Sequence, residues 1–201
     1  NLKLVINHLE RYQYGTQGHY HDDYGHFCLY FYDKPIIIDP GTFLYSKDST
    51  RFDIAKFHNA PFSNNKKKMV NISKFEKMFI GNFKKIISNN YIKIIYSADD
   101  SSWERVFYKN SFSISDVFNF NSDSEIQLFF PFEVKQIEDN QRVKIFSSQS
   151  IFFKITCNQL FTYNISQSEY APKYATLKEA NCLTLNFKDK GNVSLNWEIY
   201  V

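Results

Sequence analysis

Two short stretches concentrate the residues able to do chemistry. Gly18-His19-Tyr20-His21-Asp22-Asp23 carries two imidazoles and an acid, and Asp39-Pro40-Gly41-Thr42 follows an apolar run that starts at Lys34-Pro35. His58-Asn59 comes next, so these segments hold three of the chain's five histidines. His19, His21 and Asp23 are spaced i, i+2, i+4, and on an extended strand that spacing puts all three side chains on one face. Asp39 opens a Pro-Gly pair suited to a type II turn, with proline at its second position and glycine at its third. Imidazoles and a carboxylate on rigid strand ends are the donor set of a zinc centre with three protein ligands and one open position. As a bare pattern, two histidines on one strand face are more often surface or hydrogen-bonded residues than metal ligands.

The elements that must position these residues are strands. The chain has 201 residues, among them 21 Phe and 14 Tyr, and its Ile and Val content adds to a strand-forming balance. That length fits a single β-sandwich over residues 1–201 with a substantial buried core. Alternating runs at Leu2–Asn7, Phe27–Tyr32, Pro35–Asp39, Lys84–Ile87, Tyr91–Ser97, Trp103–Lys109 and Ser113–Phe120 read as strands. So do Ile126–Phe130, Arg142–Phe146, Ile151–Thr156, Leu160–Ser166, Cys182–Phe187 and Val193–Tyr200. Turn clusters such as Ser88-Asn89-Asn90 and Lys190-Gly191-Asn192 separate them, and Pro131 and Pro172 are expected at breaks. No segment sustains a 3.6-residue period, so the expected fold is an all-β antiparallel sandwich with little helix.

Residues 43–68 have no clean period and read as a long loop that returns His58 toward the first strands. The expected hairpin runs out through Phe27–Tyr32, turns at Asp33-Lys34 and brings Asp39 back level with the start of the first strand. The lysines at 66, 67 and 68 read as a solvated strand edge, with a polyanion contact as the alternative.

Other chemistries lack their signatures. There is no glycine-rich phosphate loop and no Gly-x-Ser-x-Gly elbow. The aromatics interleave with aliphatics at period two without a basic stripe, which argues against nucleic-acid binding. Cys28, Cys157 and Cys182 form no CxxC pair and read as small buried hydrophobes. The net charge of +3 identifies no partner. No apolar run reaches the roughly 18 to 20 residues of a membrane span, and no signal-peptide pattern opens the chain. The first residue is Asn1, so the chain is expected to be part of a longer or processed protein.

The pattern Gly18-His19-x-His21-x-Asp23, Pro35, Asp39-Pro40-Gly41-Thr42 with Phe43, Arg51 and His58-Asn59 resembles the signature of heparinase II/III-like polysaccharide lyases. Looser echoes run on through Arg105 with Tyr108, Asp116 in Ser113–Phe120, and the segment around Pro131. One departure is Gly25-His26, where the family often has Leu-Ser. The resemblance implies the C-terminal sandwich of a bacterial enzyme whose N-terminal helical toroid lies outside this chain. It implies cleavage of an anionic, uronic-acid-containing polysaccharide, such as a glycosaminoglycan or alginate, by β-elimination, in a periplasmic or secreted setting.

By the same resemblance His19 is the catalytic-type histidine, and His21, Asp39 and His58 hold one zinc ion. Asp23, Arg51 and Asn59 would support the ligands or the substrate, and Tyr45 would face the substrate or stack structurally. With the toroid absent, the chain alone is expected to have little lyase activity. The alternative is a non-catalytic carbohydrate-binding or structural sandwich in which the metal only staples a loop.

Overall fold

A computed structural model describes residues 2–7, 23–41, 57–63, 69–71, 77–79, 81–98, 101–173, 175–188 and 191–201. Among these the chain forms seventeen strands and no α-helix. In chain order they are β1 (Leu2–Ile6), β2 (Phe27–Phe31), β3 (Lys34–Ile37), β4 (Phe62–Ser63), β5 (Met69–Asn71) and β6 (Lys77–Phe79). Next come β7 (Asn82–Ile87), β8 (Tyr91–Ala98), β9 (Ser101–Tyr108), β10 (Ser113–Phe120), β11 (Ser124–Phe130) and β12 (Val134–Asp139). The last five are β13 (Val143–Ser148), β14 (Ile151–Cys157), β15 (Thr162–Lys173), β16 (Thr176–Phe187) and β17 (Gly191–Tyr200).

An eight-stranded sheet runs β12-β13-β14-β17-β10-β9-β8-β7, and a four-stranded sheet runs β15-β16-β11-β4. A three-stranded sheet, β1-β2-β3, reaches the second of these through a bridge from Ile38 to Phe129. Every strand pair is antiparallel. The expected antiparallel sandwich is therefore what the chain forms.

Alternation explains the layers. Along β17 the residues Val193, Leu195, Trp197 and Ile199 are buried while their neighbours face outward. On β14, Ile151, Phe153, Ile155 and Cys157 do the same. Aromatic rings meet between the sheets: Phe118 edge-on to Phe187, Phe130 edge-on to Phe153, and Phe27 edge-on to Phe107. These contacts join all three larger sheets to one core, and each ring pair adds about 0.5–1.5 kcal/mol beyond its buried area.

The structure departs from expectation in several places. β12 carries no alternation, because five of its six residues are exposed at the sheet edge, so no apolar signal marked it. β15 and β16 extend into a long hairpin whose outer part is polar, past the expected Leu160–Ser166 and Cys182–Phe187. Pro172 lies inside β15 and not at a break; β15 is an edge strand, and its register shifts between Tyr170 and Lys173, which spares the ladder a missing donor. The β2–β3 turn is Tyr32-Asp33, with φ of 46° and 62°, and not Asp33-Lys34. Two successive positive φ values give a primed turn that matches the right-handed twist of a hairpin.

Candidate metal centre

The β2–β3 hairpin sets the first half of the site. Leu29 pairs with Ile37, so two residues further on Asp39 comes level with Phe27 and beside His26. Asp39 sits in a local turn of its own: its Oδ1 accepts the Gly41 N–H at 2.7 Å, and Gly41 takes φ of +73°, as a type II turn requires. Ala171 of β15 donates its N–H to Pro40 O at 2.7 Å, which docks the turn against the outer hairpin.

The second half arrives from the segment before β4. His58 Nδ1 lies 3.2 Å from Asp39 Oδ2, and His26 Nε2 lies 3.4 Å from the same oxygen. The two imidazoles stand edge to face, ring centres 5.3 Å apart. His26, Asp39 and His58 are the group among the described residues whose ligand atoms converge closely enough to hold a metal ion. His58 is 1% exposed and His26 4%, so the cluster is walled in on the protein side.

Asn59 ties this cluster to β2. Its side chain brackets Phe27, accepting the peptide N–H at 2.9 Å and donating to the carbonyl at 2.7 Å. Its own peptide N–H donates to His26 Nδ1 at 3.1 Å. Beneath it lies Arg105, which donates to Gly25 O at 3.0 Å and to Asn59 Oδ1 at 3.3 Å. The Arg105 guanidinium also makes two bonds to Asp116, whose Oδ2 accepts from the Trp197 indole at 2.9 Å. The turn before His26 is held from the other side: Asn7 bonds His26 and Gly25 through its backbone, and its side-chain amide donates to Asp23.

Burial lowers the His26 pKa from its ordinary value to about 4, the nearby Asp39 charge opposing that only in part. The ring is therefore neutral near pH 7. Burial pushes Asp39 up, but His58, His26 and the Gly41 N–H outweigh it, and the carboxyl ends well below the usual carboxylate range. Cys28, whose Sγ is 3.6 Å from His26 Nε2, has its thiol pushed up by burial to about 12 and stays protonated.

Of the residues singled out from sequence, Asp39 and His58 are brought together as expected. Asp23 supports the turn before His26, and Asn59 is fully buried and positions its neighbours. His19, His21, Tyr45 and Arg51 lie outside the described residues. His26 was passed over as a departure from the motif. Hairpin arithmetic was part of the signal: a turn at Tyr32-Asp33, with the register shift between Leu29 and Tyr30, sets Asp39 level with Phe27 and beside His26, whereas an unshifted turn at Asp33-Lys34 sets it opposite Cys28.

A tetrahedral ion with nitrogen and oxygen ligands at 2.0–2.1 Å separates its ligand atoms by about 3.3–3.4 Å. The 3.2 Å contact between His58 Nδ1 and Asp39 Oδ2 is close to that spacing.

No protein-family model matches the chain. No curated protein sequence matches it either. Solved structures do share its fold. Heparan sulfate lyase HepC from Pedobacter heparinus superposes with a TM-score of 0.68 at 14% identity, over 92% of this chain and 31% of that one. A heparinase III gene product with methylated lysines superposes with a TM-score of 0.70 at 16% identity, over 99% of this chain and 32% of that one. The chain thus spans about a third of the length of the structures it matches.

Proposed function

We propose that residues 1–201 are the C-terminal β-sandwich domain of a heparinase II/III-like polysaccharide lyase, whose helical toroid belongs to the same protein outside this chain. The carrying observation is that Asp39 and His58, two residues of the lyase-like signature, meet at 3.2 Å in a fold shared with heparan sulfate lyases. The substrate is an anionic, uronic-acid-containing polysaccharide.

In β-elimination a base removes the weakly acidic proton beside the sugar carboxylate, and an acid protonates the departing glycosidic oxygen. Much of the barrier is met by stabilising the enolate-like charge that develops between these events. His19 is the catalytic-type histidine of this reading, Tyr45 a residue facing the substrate, and Arg51 a support of the loop. Asp39 and His58, with His21 as third ligand, would hold one zinc ion. When bound, the zinc supplies a fixed positive charge and ties the His58 segment to the hairpin. The residues of this chain do the remaining work: Asn59 and Arg105 fix where the His58 segment enters, and the Gly41 N–H aims the Asp39 carboxylate.

The test has two parts. Protein purified without chelator should contain about one zinc per chain, and His58→Ala should release it. In the protein that includes the upstream domain, His19→Ala should abolish formation of the unsaturated, ultraviolet-absorbing product while leaving metal content and thermal stability unchanged. Turnover of heparan or alginate by the 201-residue chain alone would overturn the assignment of part of the machinery to an upstream domain.

The burial of His58 favours a second reading, in which the metal only staples its segment and the sandwich binds carbohydrate without cleaving it. Under that reading the longer protein binds the polymer but yields no unsaturated product.

A further inference from the structure

We infer that His26 is a positioning residue: it turns a protonated Nε2 toward the Asp39 carboxylate, 3.4 Å away, and does not itself ligate the metal. Its purpose rests on the metal reading above, but its geometry does not.

A ligating imidazole gives one nitrogen lone pair to the metal and keeps its proton on the other nitrogen, which donates to a carbonyl, carboxylate or water. His26 is arranged the other way round. Its Nδ1 receives the Asn59 peptide N–H at 3.1 Å. A peptide nitrogen only donates, so Nδ1 must present its lone pair, and a neutral ring then carries its proton on Nε2. That nitrogen faces Asp39 Oδ2 at 3.4 Å and Cys28 Sγ at 3.6 Å. With a proton there, Nε2 has no lone pair to offer an ion.

Escape from this arrangement would be costly. Moving the Nδ1 acceptor off Asn59 means moving Asn59, which is fully buried and held by two bonds to Phe27 and one from Arg105. Turning the ring would leave the Asn59 peptide N–H buried without its acceptor, which a buried donor does not tolerate cheaply. The Asp39 carboxylate fits the same division of labour. Gly41 occupies Oδ1, leaving Oδ2 as the atom shared by the His26 donor and by His58, whose Nδ1 stands 3.2 Å away. Gly25-His26 departs from the resembled pattern, so this donor belongs to this chain in particular.

The test reads the tautomer directly. Long-range proton–nitrogen correlation spectra of the histidine rings are recorded on metal-free chain and after one equivalent of zinc, with His26→Gln identifying the His26 signals. Nδ1 unprotonated and Nε2 protonated in both states is the expected result. A proton on Nδ1 in metal-free protein, or a shift of Nε2 to a metal-bound position on adding zinc, overturns the proposal.

Zinc affinity, measured by competition with a chromophoric chelator, provides the companion readout. His26→Gln keeps an amide donor and should bind zinc within about threefold of the unsubstituted chain, whereas His26→Leu should weaken binding about 10–100-fold at unchanged stoichiometry. Loss of zinc by His26→Gln as complete as that of His58→Ala would make His26 a ligand and overturn the proposal. If the unsubstituted chain takes up no zinc, the metal reading fails before any variant is compared, and the metal-free tautomer still decides whether His26 is the donor.

Discussion

Arg105 and Asp116 stand directly opposite each other on β9 and β10 and form a fully buried two-bond ion pair, at 2.6 and 2.8 Å. The pair is the floor of the site, since the same guanidinium reaches Gly25 beside His26 and Asn59 beside His58. Two charges taken out of water are tolerable only with their remaining hydrogen-bonding capacity met. Here Trp197, Gly25 and Asn59 meet it.

Removing one partner should therefore cost more than removing both. Asp116→Ala is expected to destabilise the chain by about 3–5 kcal/mol in urea unfolding, because it strands the guanidinium. The double variant Arg105→Met, Asp116→Leu should lose less than the sum of the two single changes. Equal, additive losses would show that the two charges do not depend on each other.

Acid sensitivity should follow His26. Its folded pKa of about 4 lies below the ordinary 6.5. Between those values the unfolded chain binds a proton that the folded chain refuses, so stability rises with pH across this window and falls as the pH drops through it. The slope should approach 1.4 kcal/mol per pH unit, a total on the order of 3 kcal/mol. Asp39, with a depressed pKa and an ordinary value of 3.8, adds its own loss only below that window. Unfolding of chelator-treated protein at pH 7, 5.5 and 4.5 checks this, and His26→Gln should flatten the profile.

Gly41→Ala should be poorly tolerated. A Cβ there would stand 2.3 Å from Ala171 O, on a backbone with φ of +73°. The expected loss is about 1–3 kcal/mol, with weakened zinc binding because the Gly41 N–H no longer aims Asp39. Gly191→Ala, whose new Cβ meets nothing within 4 Å, shares the positive φ but not the clash, and should leave zinc affinity unchanged.

Cys28 should resist alkylation. Its thiol is pushed up to about 12, so almost none is thiolate at pH 8. Iodoacetamide should label it only after denaturation, as read by peptide mass. Rapid labelling of the folded chain would contradict the surroundings given to it here.

Sequence patterns located the strands with an apolar alternation and placed Ser113–Phe120 at its observed ends. They also predicted that the hairpin and the loop would close Asp39 onto His58. The polar edge strand β12 escaped because alternation reports burial, and an edge strand with five exposed residues has little to report. His26 escaped for a different reason. Its role depends on which residue faces it across a turn, and displacing that turn by one position changes the partner. The Asn59 N–H that fixes its ring is a long-range backbone contact with no residue-type signature at all. Arg105 and Asp116 were noticed as echoes of a motif, but nothing in their spacing told of a floor beneath the site.

The docking of Pro40 on Ala171 has a consequence for the order of events when the chain is made. The residues that converge on the centre lie within the first third of the chain, yet what seats them comes from β9, β10, the far end of β15 and Trp197 near the C-terminus. Contacts of such large sequence separation form slowly and late. A nascent chain that has emitted His26, Asp39 and His58 therefore has no centre to offer. On the metal reading proposed above, tight zinc uptake would await the folding of β17, acquired only when that strand joins the eight-stranded sheet.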